Sequence, residues 1–133
     1  MDPVPAPTLR RELGKWDLTA IGISDIAVLN TEKEFARDWQ TQYENWITPN
    51  AAVALLRSLH EGNGISPVNR ELLLKYMTDS PTGPKRLKGL LPANTVVAHK
   101  TGTSGKRDNI TAATNDIGII TLPNGNHMLI AVF

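Results

Sequence analysis

The sequence predicts an α+β domain, and three observations carry that prediction. Two helix starts of the same form, Thr48-Pro49 and Ser66-Pro67, precede helix-forming runs in the middle of the chain. After Thr95 the texture changes to apolar, β-branched runs, with Pro123-Asn124-Gly125-Asn126 as a turn between the last two. Helices and strands are thus segregated along the chain, the pattern of α+β rather than alternating α/β. Composition agrees: 41% hydrophobic and 20% charged residues over 133 positions describe a globular chain, not a disordered one.

The elements follow in order. Residues 1–7 read as an extended arm, because Pro3, Pro5 and Pro7 block a helix. Thr8 caps a short predicted helix with Leu9, Leu13 and Trp16 on one side. Ile26 to Leu29 is a short strand. Residues 24–47 otherwise show no clean period of 2 or 3.6, yet hold Trp39, Tyr43 and Trp46. That combination predicts a long, ordered Ω-type loop packed on its own side chains. Ala51 to Leu59 is a helix stopped by Gly62-Asn63-Gly64, and Val68, Leu72, Leu73, Tyr76 and Met77 form the apolar stripe of the next. Pro81-Thr82-Gly83-Pro84 is a turn, and Lys85 to Leu90 is expected to add one or two helical turns.

Three strands complete the chain: Thr95–His99, Ile117–Leu122 and His127–Phe133. They are expected to form a three-stranded antiparallel sheet. The last two are apolar on both faces, which predicts cover on both sides. The third ends at Phe133 inside an apolar run. This leads to the expectation of a truncated domain, or one completed by another polypeptide; the alternative is a small domain whose last strand lies at a covered edge. The organisation expected is one partial domain, 1–133: an arm and helix (1–19), strand and Ω-type loop (20–47), helices (48–91) and antiparallel strands (94–133).

Several function classes are excluded early. A net charge of +1 makes no case for nucleic acid. With no cysteine there is no disulfide framework, thiolate metal site or thiol nucleophile. No apolar run approaches the roughly 20 residues of a membrane span, and the N-terminus lacks the apolar core of a signal peptide. His60, His99 and His127 have no metal-ligand spacing, so neither metal nor cofactor is expected. His99 falls on the strand face opposite Lys100 and is expected to be packed or hydrogen-bonded. Lys106-Arg107-Asp108-Asn109 reads as a polar loop tip.

Chemistry concentrates at Lys100-Thr101-Gly102-Thr103, read as the end of a strand opening into a loop. Glycine lets a ligand approach the backbone closely. The lysine supplies positive charge, the threonine hydroxyl a hydrogen bond to a carboxylate, and the Thr103 N–H a donor for an oxyanion. For the tripeptide alone, the plainer reading of an exposed lysine before a glycine turn is the favoured one.

Its neighbourhood changes that reading. Thr82-Gly83-Pro84-Lys85-Arg86-Leu87-Lys88-Gly89-Leu90-Leu91-Pro92, Val96 to Gly105, Ala112 to Gly118, Leu122 to Gly125 and the loop segment Asp38 to Trp46 together resemble class A serine β-lactamases. They look most like the extended-spectrum PER/VEB branch. The resemblance covers about residues 20 to 133 and corresponds to the C-terminal portion of such an enzyme.

The resemblance implies a β-lactamase/penicillin-binding transpeptidase-like fold and hydrolysis of β-lactams by serine acylation and water deacylation. It implies catalytic roles for Glu32 (general base for the deacylating water), Lys100 and Thr103 (one oxyanion N–H). Thr101, Gly102, Ser104 and Arg86 would bind substrate. Arg86 would provide the cation that other branches carry on the second strand, where this chain has Thr114. Ala36 stands where the family usually has a water-holding Asn, and Asn30 and Asn45 replace the usual loop-closing Arg and Asp. No serine begins a Ser-x-x-Lys motif, and Ser24-Asp25-Ile26 is not Ser-Asp-Asn. Tyr43-Glu44-Asn45 mimics a Tyr-x-Asn motif but falls at the end of the loop, so it is read as a decoy. Lacking the nucleophile, the isolated chain is expected to be inactive. A complementing N-terminal segment or a homodimer would be its protein partner, and the family implies a periplasmic or secreted location. The rival readings are a penicillin-binding D,D-peptidase or transpeptidase fragment, and a non-enzymatic fragment that folds by self-association.

Overall fold

The computed structural model describes residues 25–35 and 37–133. The predicted N-terminal arm and its helix, and Ala36, lie outside the described residues.

A two-stranded antiparallel pair closes the first unit. Strand β1 (Ile26–Ala27) pairs with β2 (Trp46–Ile47), Ile26 opposite Ile47 and Ala27 opposite Trp46. The chain between them leaves and returns at one point, which makes it an Ω-type loop. Inside it, α1 (Glu32–Phe35) and a 3₁₀ turn (Trp39–Tyr43) supply the order that the aromatic residues predict. Thr31 and Glu34 form the carboxylate half of a capping box. Glu34 Oε2 accepts from the Thr31 amide at 2.6 Å and the Thr31 hydroxyl at 2.8 Å. Asp38 caps the 3₁₀ turn by accepting from the Gln40 amide at 2.9 Å.

Helices α2 (Pro49–Glu61) and α3 (Pro67–Asp79) form where their start signals lie. The Thr48 hydroxyl accepts from the Ala51 amide and Ser66 from the Asn69 amide. Gly62 ends α2 in the left-handed conformation, φ 81°. Arg70 of α3 reaches back to the same helix end, donating to the carbonyls of Leu59 (2.8 Å) and His60. A guanidinium there meets orphan carbonyls and the negative end of the helix dipole together. The predicted α3 stripe is only partly right. Met77 is buried and Leu73 and Leu74 pack on the core, whereas Val68 and Tyr76 are exposed.

The sheet is antiparallel, in the order β3 (Val97–Thr103), β6 (Thr114–Thr121), β7 (His127–Val132). A small hairpin, β4 (Lys106–Arg107) and β5 (Ile110–Thr111), intervenes between β3 and β6. Asp108 and Asn109 turn it with φ of 50° and 63°, both left-handed. The expected polar loop tip is therefore the tip of a hairpin. The Lys85–Leu90 segment is a run of turns, not helix: Arg86 N–H donates to Gly83 (2.9 Å) and Gly89 N–H to Arg86 (2.8 Å). The Leu87 amide is instead taken by the Asp116 side chain at 3.2 Å, which breaks the helical ladder.

Leu56 and Leu59 of α2, Met77 of α3, Ala98 of β3 and Ile119 of β6 form the core, so both helices lie on one sheet face. On β6, the central strand, the adjacent Ile119 and Ile120 are both buried, which means both faces are covered as expected. On β7 the expectation fails: Met128, Val132 and Phe133 are about half exposed. Among the described residues β7 is an edge strand, with a neighbour on one side only.

Candidate active site

Lys100, Thr101, Gly102 and Thr103 lie within β3, not beyond it. The strand begins two residues later than expected and runs four further. Its register pairs Lys100 with Ile117, Thr101 with Asp116, Gly102 with Asn115 and Thr103 with Thr114. Because side chains alternate, His99, Thr101 and Thr103 share one face and Lys100 and Gly102 the other. β3 is an edge of the three-stranded sheet, so the tripeptide stands on an accessible strand.

The turn after α3 packs against the Thr101 face. The Thr101 hydroxyl donates to Thr82 Oγ1 at 2.8 Å, and Thr82 also pairs with the Ser80 hydroxyl at 2.9 Å. Lys88 donates to the carbonyls of Thr78 (3.0 Å) and Ser80 (3.2 Å), tying the turn to the end of α3. Arg86 then crosses to the strand. One of its terminal nitrogens donates to Gly102 O (2.9 Å) and Asn115 O (2.7 Å), the other to Thr103 Oγ1 (2.6 Å). Three bonds in a planar fork fix a guanidinium far better than they would fix an ammonium.

Beneath this lies a feature that strand alternation hints at and sequence does not resolve. His99 is fully buried and Asp116 is 3% exposed. His99 Nδ1 lies 3.0 and 2.9 Å from the two carboxylate oxygens of Asp116. The expectation of a packed or hydrogen-bonded histidine holds; the aspartate partner was missed, because the strand expected there starts at Ile117 and leaves Asp116 outside it. Gly118, the cross-strand partner of His99, lets the two strands approach closely here. A Cβ at 118 would meet Ala98 O at 2.7 Å and His99 Cβ at 2.9 Å.

Lys100 is exposed, and its ammonium donates to the Thr101 carbonyl. Asn115 lies over Gly102, where a Cβ would meet its Oδ1 at 2.4 Å. The Ser104 hydroxyl accepts from the Ala113 amide at 3.0 Å, and the Ser104 amide donates to the Ala113 carbonyl at 2.9 Å. Ser104 thus closes the β4–β5 excursion.

The Ω-type loop meets the end of β3 across a cavity of about 640 Å³, with Trp39, Tyr43 and Trp46 on one side and Thr103, Ser104 and Asn115 on the other. Glu32 is the first residue of α1 in that loop. The loop's mouth is tied by an asparagine pair. Asn45 Oδ1 accepts from the amides of Leu29 (2.7 Å) and Asn30 (2.9 Å), and Asn45 Nδ2 donates to Asn30 O at 2.9 Å. Asn30 Nδ2 donates to Glu44 at 2.6 Å. Asn45 is therefore a loop latch, which fits the reading of Tyr43-Glu44-Asn45 as a decoy.

The structure thus joins Arg86, Gly102 and Thr103, sets Thr101 on Thr82, and places Thr103 and Ser104 at the loop cavity. It does not bring Lys100, Thr101 or Arg86 into that cavity's lining. Among the described residues no three His, Asp or Glu side chains converge as a metal site. No helix among them is long and apolar enough to cross a membrane.

Residues 2–133 match the family model of the beta-lactamase enzyme family, and the chain belongs to that family. It is 48% identical over 116 residues to the extended-spectrum beta-lactamase PER-1 of Pseudomonas aeruginosa, covering 87% of this chain and 38% of that protein. Against beta-lactamase VEB-1 of the same organism, identity is 47% over 118 residues, with 87% and 40% covered. The solved structure of TLA-1 extended-spectrum beta-lactamase superposes with a TM-score of 0.82 at 52% identity, over 86% of this chain and 42% of that one. The chain spans about two fifths of the length of these relatives.

Proposed function

We propose that the chain supplies part of a serine β-lactamase active site: the Lys-Thr-Gly strand, the substrate-binding arginine and the deacylating glutamate. The observation that carries the reading is the Arg86 guanidinium, locked onto Gly102 and Thr103 of the edge strand. Thr101, on the same strand face as Thr103, adds a hydroxyl, and guanidinium with hydroxyl is a pattern that receives a substrate carboxylate. Lys100 adds a second cation on the same strand. The Thr103 N–H stabilises the oxyanion as the carbonyl of the β-lactam ring becomes tetrahedral. The nucleophilic serine comes from a complementing segment outside this chain. It attacks, the ring C–N bond breaks and the ring nitrogen is protonated. Glu32 then takes a proton from water, whose oxygen attacks the acyl ester, and that proton passes to the serine oxygen as the ester C–O bond breaks. The family places such a reaction in the periplasm or outside the cell.

The test is a chimera in which this chain replaces the matching part of PER-1. It should hydrolyse a chromogenic cephalosporin, while the chain alone gains no mass from penicillin. Glu32→Gln in the chimera should accumulate an acyl-enzyme one penicillin heavier in the intact mass spectrum. A folded chimera that neither hydrolyses nor acylates would overturn the reading.

A further inference from the structure

We propose that Asp116, held by His99, is a positioning residue that sets Arg86 on the β3 edge; the proposal rests on the reading of Arg86 as the substrate-binding cation. Asp116 sits opposite Thr101 and is almost fully buried. A buried carboxylate is costly unless its oxygens are satisfied. Here His99 Nδ1 faces both oxygens, and the Leu87 amide donates to Oδ2 at 3.2 Å. Leu87 is the residue after Arg86. One carboxylate therefore bonds to the strand below through His99 and to the turn above through Leu87.

The geometry has a direction. A carboxylate oxygen accepts from a ring N–H, so the contact takes Nδ1 as its donor. Nε2 is buried with no hydrogen-bond partner among the described residues, so the ring is anchored through Nδ1 alone. Gly118, opposite His99, leaves room for the Ala98 carbonyl and the His99 Cβ to lie where the strand holds them. Above, the turn has its own short bonds at Gly83 and Arg86, but the bond from Leu87 to Asp116 is the one that binds the backbone beside Arg86 to β6. Losing it frees the turn to shift, and the guanidinium with it. A shift of an ångström is enough to spoil three short bonds and the charge they aim.

The experiment is a double-mutant cycle in the active chimera, read as KM and kcat for a penicillin. Asp116→Asn should raise KM about tenfold with kcat little changed, the size of losing one well-placed charge-assisted bond. In an Arg86→Ala background, Asp116→Asn should add less than about twofold, since its effect runs through Arg86. His99→Asn keeps a donor near the Nδ1 position and should retain KM within about twofold, whereas His99→Leu should behave like Asp116→Asn. If Asp116→Asn costs as much without Arg86 as with it, or leaves KM unchanged, the proposal is wrong. An independent readout separates it from the functional reading: the ¹⁵N shift of Arg86 Nε and exchange of the Leu87 amide, without any β-lactam. If those move with Asp116→Asn while Arg86→Ala leaves KM untouched, the positioning stands and the role of Arg86 in binding fails. Should Asp116→Asn not fold, the two His99 variants carry the same test, and equal KM values for both would overturn the proposal.

Discussion

At the level of single residues, Glu34 shows how a local bond becomes a pH response. Both Thr31 donors converge on its carboxylate, and those bonds, the backbone one foremost, hold its pKa below the ordinary carboxylate value. A group whose pKa is lowered on folding stabilises the folded form at neutral pH. That contribution is lost as pH falls through the lowered value. The start of α1 should therefore loosen on acidification below the usual carboxylate range, seen as faster exchange of the Thr31 amide. Glu34→Gln should remove this pH dependence from that amide. Thr31-x-x-Glu34 is a legible capping-box pattern, yet the irregular polar stretch around it hid the short helix. His99 and Asp116 illustrate the opposite case. Nothing local says that a histidine and an aspartate 17 positions apart will share one strand face, because strand register decides it.

At the level of elements, the helices were legible because their signals are local: Thr48 and Ser66 as caps, Pro49 and Pro67 in the first turn, Gly62 as a stop. What holds the end of α2 was not, since Arg70 comes from the next helix. Arg70→Ala should cost about 1–2 kcal/mol, read as a lower urea midpoint with unchanged slope. The Ω-type loop depends on Asn45, which satisfies two amides and one carbonyl at its mouth. Asn45→Ala should leave those groups unpaired and sharply raise exchange of the Leu29 and Asn30 amides. Protection in β6 should stay as it is, because the loop is closed by its own base pair of strands. Lys85–Leu90 was misread as helix for a definable reason: its composition permits one, but a side chain from β6 competes for the Leu87 amide.

Across the whole molecule, one face of the sheet carries the helices and one edge carries the Lys-Thr-Gly run. Leu56 sits at the centre of the packed face, 2% exposed. Leu56→Ala should cost about 2–5 kcal/mol. The exposed Val68→Ala, on a helix of the same layer, should stay within about 0.5 kcal/mol. Equal costs in denaturant titration would contradict the assigned core. The fold class and the order of elements were readable because helix and strand periodicities separate cleanly along the chain. The arrangement of the site was less so. The Lys-Thr-Gly run stood out in sequence, but Arg86 bonds across 16 or more positions to Gly102, Thr103 and Asn115, and only the folded turn shows it.

The notch at Gly118 extends this into ancestry. A side chain at 118 runs into the Ala98 carbonyl and the His99 Cβ, so the strand that carries the ring must shift, and the carboxylate at 116 then keeps the Leu87 amide but loses Nδ1. The three positions therefore mutate as one character. In related genes a larger residue at 118 should arrive only with replacements at 99 and 116, and single-step escapes should be missing from any library selected for function.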